Sequence, residues 1–157
     1  MAYGLLSDFL MGQCIEAHNY FGAHFCKNAD GVDGAIFRLY APSASDVSVI
    51  GDFNDWNIYA NKMTKIDDCG AWEVFIPGVQ NYQCYKFHFR AARGNYVDKA
   101  DPYAFYSENR PATCSRLFDN RFFAWHDDDW LHNRTRNFDR PMSIYEMHIG
   151  SWVDKSS

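Results

Sequence analysis

The chain has no excess of cations: 20 Asp and Glu stand against 15 Lys and Arg, a formal net charge of −5. Phosphate recognition needs clustered Lys and Arg, so this balance argues against a nucleic-acid partner. No apolar run approaches the roughly 20 residues of a membrane-spanning helix, and no membrane partner is expected. The N-terminus lacks a basic stretch, and Ser7 and Asp8 interrupt its apolar residues, which argues against a secretory signal. No Gly-rich phosphate loop, nucleophile elbow or metal-spaced Cys/His pair occurs, so neither a cofactor nor a metal is expected. The five cysteines, Cys14, Cys26, Cys69, Cys84 and Cys114, are odd in number. They read as free thiols of a reducing compartment, with the cytoplasm as the expected location. His126-Asp-Asp-Asp129 contains ligand types, but adjacent side chains diverge, and it reads as a solvated acidic stretch.

What the chain does have is aromatic residues, 18% of 157. That length suits one domain, or one domain and a piece of another, and a core that needs no staples. The organising stretch is Asp46-Val-Ser-Val-Ile-Gly-Asp-Phe-Asn-Asp-Trp-Asn57. Val47 and Val49 alternate with Ser48 and Ile50, the period of a half-buried strand. Gly51 breaks the strand, and Asp52–Asp55 is turn-forming because Asn and Asp side chains bond their own backbone. Trp56 then falls in a polar loop, where a rigid indole either caps the fold or faces a flat ligand.

Short strands recur every ten or so residues. Ala35–Ala41 ends at Pro42; Lys62–Ile66 is weaker; Ala71–Ile76 stops at Pro77-Gly78. In Cys84–Arg90, Tyr85, Phe87 and Phe89 alternate with Lys86, His88 and Arg90. Tyr96-Val97 begins a return strand, and 101–105 and 115–118 supply two more. Phe37, Leu39, Val47, Val49, Trp72, Val74, Ile76, Tyr85, Phe87 and Phe89 supply the apolar faces. This pattern predicts an all-β antiparallel sandwich. A short helix is expected within residues 5–20, weakened at Gly12. Residues 119–141 read as a connector. A new strand is expected at Met142–Ile149, followed by Gly150-Ser-Trp152, with no visible partner, so the chain is expected to come from something longer.

Four segments together resemble the bacterial α-1,4-glucan branching enzymes. They are Phe37–Pro42 with Gly51-Asp-Phe-Asn-Asp-Trp56, Gly70–Gly78, Tyr85-Lys-Phe87 with Lys99-Ala-Asp-Pro-Tyr-Ala-Phe105, and Ile144–Trp152. The resemblance implies an immunoglobulin-like sandwich of the glycogen-binding kind, also found in isoamylases, trehalohydrolases and the β subunits of AMP-activated kinases. The implied organisation is a helical segment at 1–19, the module at 20–118, the connector at 119–141, and the first strand of a (β/α)₈ catalytic barrel at 142–157. The implied partners are an α-glucan and that barrel. The family's catalytic carboxylates lie beyond this chain, so no catalytic residue is assigned to it and no activity is expected of it alone. The full enzyme is expected to move an α-1,4 segment to an α-1,6 branch point by retaining chemistry. Glu146 and His148 receive no role.

By the same resemblance three residues are candidate carbohydrate contacts. Trp56 aligns with a ligand-stacking tryptophan of the kinase modules. A glucose face presents C–H bonds to the negative face of an indole, a stack worth ~1 kcal/mol. Lys86 matches a sugar-contacting lysine, whose ammonium donates to several hydroxyls. Tyr96 stands where the kinase modules carry a second tryptophan; the smaller ring lowers the expected affinity. Trp72 and Phe87 lie on apolar faces and are expected in the core. An alternative expectation is a module with little glucan affinity that packs on and orients the barrel through the aromatic stretch Phe122–Trp130. A regulatory subunit with a kinase-like partner is the third reading, disfavoured by 144–152.

Overall fold

The computed structural model describes residues 2–66, 68–135 and 141–148. Two compact units are present, Met1–Phe122 and Phe123–Ser157. The first opens with helix α1 (Ala2–Leu10) and continues through β1 (Gly22–Lys27), β2 (Asp33–Tyr40), β3 (Val47–Gly51), β4 (Thr64–Ile66), β5 (Ala71–Pro77), β6 (Cys84–Arg90), β7 (Tyr96–Lys99), β8 (Tyr106–Ser107) and β9 (Ser115–Arg116).

These strands form two antiparallel sheets, the sandwich that the alternation predicts. One has the order β1-β2-β5-β4. In the other, β6 pairs β3 along one edge, while its second edge pairs β9 at its start and β7 at its end. The inner faces meet in a core of Phe37, Leu39, Trp72 and Ile76 from the first sheet and Val47, Val49, Tyr85 and Phe87 from the second. Phe37 meets Tyr85 edge to face across the layers, with ring centroids 5.2 Å apart. Trp72 and Phe87 are core residues, as the apolar spacing requires, and Val74 and Phe89 pack on its margin.

Four local features of the first unit differ from what the pattern alone gives. The helix within 5–20 is shorter and starts earlier. Gly12 adopts φ +72 and ends it: Gly12 N–H bonds Phe9 O and Gln13 N–H bonds Asp8 O, a left-handed glycine stop. A 3₁₀ turn at Ala17–Asn19 follows. The apolar stripe of α1 covers the outer face of the first sheet, where Phe9 lies 4.7 Å from Phe21 and 5.0 Å from Tyr40. β1, within Tyr20–Phe25 and beyond, carries no clean alternation and is held by full pairing with β2. The strand expected at 101–105 is a turn, and its place in the ladder is taken by Tyr106–Ser107.

The fourth change concerns β3, which is buried on both faces rather than half-buried. Residues 61–63 run along its free edge, with Val49 N–H bonded to Asn61 O and Met63 N–H to Val47 O. Ser48 is thereby fully buried, and its hydroxyl has no hydrogen-bond partner among the described residues.

At the end of β3 the backbone passes so close to β6 that a Cβ on Gly51 would collide with the Cys84 carbonyl oxygen. Asn54 then ties the loop: its Oδ1 accepts from Gly51 N–H at 3.0 Å, and its Nδ2 donates to Val49 O and Asn61 Oδ1. Asp55 and Trp56 follow at φ +52 and +58. One side chain thus closes a strand end, a loop and the antiparallel 61–63 segment.

A second polar tie sits where β6 passes from β9 to β7. Asp101, buried, accepts from Tyr85 Oη at 2.6 Å and from Tyr103 N–H at 2.8 Å, while its own N–H donates to Ser115 Oγ. Burial outweighs these donors and raises the carboxyl above its ordinary value; the same burial and the Asp101 charge push the Tyr85 phenol up, so Tyr85 remains a donor.

The second unit contains helix α2 (Asp128–Asn133), a helix that the connector reading did not foresee. Asp128 and Asp129 occupy its first turn, where carboxylates suit the helix dipole. Among the described residues Met142–His148 forms no strand, and Ile149 and Gly150–Trp152 lie outside the described residues.

Asn54→Ala lowers unfolding free energy by about 2 kcal/mol in a denaturant titration, because it strands a part-buried backbone donor and an acceptor. The raised Asp101 pKa means that the folded state holds this proton more tightly than the unfolded state. Its stabilising contribution is complete below the ordinary carboxylate value and declines as pH rises through the folded pKa. Wild type therefore loses stability relative to Asp101→Asn as pH rises above the ordinary carboxylate value of about 4, read from urea midpoints at each pH.

Candidate carbohydrate-binding face

The pleat of β6 puts Lys86, His88 and Arg90 on the outer face of the second sheet. Pairing with β7 sets Tyr96 opposite Arg90 and Asp98 opposite His88. Tyr96 consequently leans over His88, with the two rings 5.0 Å apart and 8° from parallel. Asp98 Oδ1 lies 2.6 Å from His88 Nδ1 and fixes the imidazole from its other side.

The loop between β3 and β4 builds the facing wall. Lys62 Nζ donates to both oxygens of Asp46 at 2.7 and 2.8 Å, and Tyr96 Oη donates to Asp46 Oδ2 at 3.2 Å. The Lys62 hydrogen bond is the main cause of a lowered Asp46 pKa, so Asp46 is a charged acceptor. Lys62 Nζ also stands 5.8 Å over the Tyr59 ring. Asp46, Ile58, Tyr59, Lys62, His88 and Tyr96 enclose a groove of about 300 Å³. Tyr59 is 75% exposed and Tyr96 52%, so flat apolar faces and polar hydrogen-bonding groups both reach solvent here.

Of the three residues singled out from the sequence, only Tyr96 lines this groove. Lys86 shares the strand and the face, two residues before His88, and its Nζ donates to Thr113 Oγ1 at 2.9 Å. Trp56 stands in the loop after β3, 38% exposed; its Nε1 donates to Asp52 Oδ1 at 3.2 Å, and Asp52 Oδ2 in turn accepts from Cys84 N–H at the start of β6. The indole is thus braced and half exposed rather than folded into the core.

Tyr59, Lys62 and Asp46 were not legible as site residues. Only His88 carried a signal, its place on the polar face of β6. The others reach it because Asn61–Met63 zips along β3, a pairing that no local pattern announces. All five cysteines are unbridged.

The family model for carbohydrate-binding module 48 (isoamylase N-terminal domain) matches residues 20–104. The 1,4-alpha-glucan branching enzyme GlgB of Bacillus cytotoxicus is 38% identical over 152 residues, covering 96% of this chain and 23% of that protein. That of Francisella tularensis subsp. mediasiatica is 43% identical over 153 residues, covering 94% of this chain and 24% of its own length. Among solved structures, the pullulanase from Bacillus acidopullulyticus aligns with a TM-score of 0.51 at 26% identity, over 64% of this chain and 12% of that one. The chain spans about a quarter of the length of the curated relatives it matches. With the family model covering more than half of its residues, on the sandwich that carries this face, the chain belongs to the carbohydrate-binding module 48 family.

Proposed function

We propose that this chain is the non-catalytic N-terminal module of a 1,4-alpha-glucan branching enzyme, and that the outer face of its second sheet binds α-glucan. The observation that carries the site is the Tyr96 ring, backed by His88 and opening onto a groove walled by Tyr59, Lys62 and Asp46. A pyranose offers a C–H face to an aromatic ring and hydroxyls at its edge. The groove offers a ring for the first and an ammonium and a carboxylate for the second. Lys86 extends the same face toward the loop before β9, and Trp56 offers a further exposed ring in the loop after β3.

The relatives are branching enzymes by name and about four times longer. The remaining length carries the barrel and its carboxylates, and the parent transfers α-1,4 segments to α-1,6 branch points by a retaining route. The module's part is to hold the donor or acceptor chain near that barrel. Unbridged cysteines agree with a cytoplasmic setting.

A second reading has one observation of its own. Phe122, Phe123 and Trp125 are exposed, Phe122 by 82%, and a surface so rich in aromatics marks an interface. On that reading the stretch seats the catalytic barrel, and wild type gives no heat with glucan.

Calorimetric titration with maltoheptaose separates the two. The glucan reading predicts weak binding that Tyr96→Ala and Trp56→Ala each reduce by about fivefold or more, one lost stack apiece. Tyr96→Phe keeps the ring and most of the affinity. Binding that is indifferent to both alanine variants contradicts the assigned face.

A further inference from the structure

The outer face of the second sheet continues past the groove. The register sets Cys84 opposite Arg116, and Arg116 opposite Tyr106. Paired residues share a face, so Tyr106 lies on the same side as Lys86 and His88. There it stacks on Phe118, with centroids 5.7 Å apart and planes 29° from parallel. Tyr82 closes the group, 5.9 Å from each ring. Tyr82 and Tyr106 are 54% and 46% exposed. Nothing in the groove or in the core requires these three rings to gather at the surface.

We propose that Tyr82, Tyr106 and Phe118 form a second pyranose-stacking site, engaged by the same α-glucan chain that lies in the His88–Tyr96 groove. The proposal rests on the glucan-binding reading. Its independent support is the layout of the face. Tyr82 and His88 are six residues apart along one line of chain, at most about 20 Å. The ground between them is polar: Lys86 reaches Thr113, and Arg116 lies 3.7 Å from Glu108. Two aromatic platforms joined by a strip of hydrogen-bonding groups suit a linear, neutral polyhydroxyl chain, which presents ring faces and hydroxyls in alternation. Occupying both platforms with one chain makes the second contact intramolecular, so two weak stacks multiply.

Tyr82 supplies a clean test because it sits at φ +69, a conformation that glycine adopts freely. Tyr82→Gly removes the ring while relieving the backbone, and thermal unfolding verifies that the fold is kept. Wild type, Tyr82→Gly, Tyr106→Ser and Tyr106→Phe are titrated with maltotriose and with maltoheptaose. The expected result is a loss of roughly threefold to tenfold for maltoheptaose in Tyr82→Gly and Tyr106→Ser, with Tyr106→Phe close to wild type. Maltotriose, too short to reach both platforms, keeps its affinity for the groove. Unchanged maltoheptaose affinity in both ring-deleted variants overturns the proposal, as does an equal loss for both sugars. Wild type that binds neither sugar overturns the glucan-binding reading itself, and this inference with it.

Discussion

The pairing of β3 with β6 is the constraint on which the rest depends. It places Val47, Val49, Tyr85 and Phe87 on one side and Ser48, Lys86 and His88 on the other. The inner set enters the core that joins the two sheets, and its burial stabilises both strands at once. The outer set is then fixed in direction by the same pleat. A one-residue slip in this register would bury Lys86 and expose Phe87, so the fold and the candidate binding face are selected by a single choice.

Around that pair, two polar side chains act as joints between strand and loop. Asn54 binds the end of β3 to the loop behind it, and Asp101 binds β6 to the segment between β7 and β8. Each joint leaves a rigid strand on one side and a loop carrying aromatic residues on the other. Trp56 follows the first; Tyr103 and Phe105 follow the second. Aromatic rings intended for a ligand need such bracing, since an unbraced ring collapses onto the nearest apolar surface or loses affinity to rotamer entropy.

The sandwich was legible because its strands alternate cleanly. Cys84–Arg90 and Ala35–Ala41 display the period of two, and of the core residues read from them Phe37, Leu39, Tyr85 and Phe87 are buried while Phe89 is partly so. Where the structure departs from the pattern, tertiary pairing decides. Gly22–Lys27 is a strand because β2 offers a full edge to it, and β3 is buried on both faces because Asn61–Met63 lies along it. The same cause limits what could be read of the site. Tyr96 was found through its place in a motif, whereas Tyr59 and Lys62 meet it only after three distant segments converge. Lys86 and Trp56 engage Thr113 and Asp52 with one donor each, which leaves the indole face and the remaining ammonium protons open to a ligand.

Chemical-shift mapping of the isotopically labelled chain, titrated with maltoheptaose, tests the central claim most directly. Saturable shifts are expected on the outer face of the second sheet, at Lys86, His88 and Tyr96, and at Tyr59 across the groove, with the buried residues of β5 silent. Shifts confined to the first sheet, or none at a sugar concentration well into the millimolar range, would contradict it.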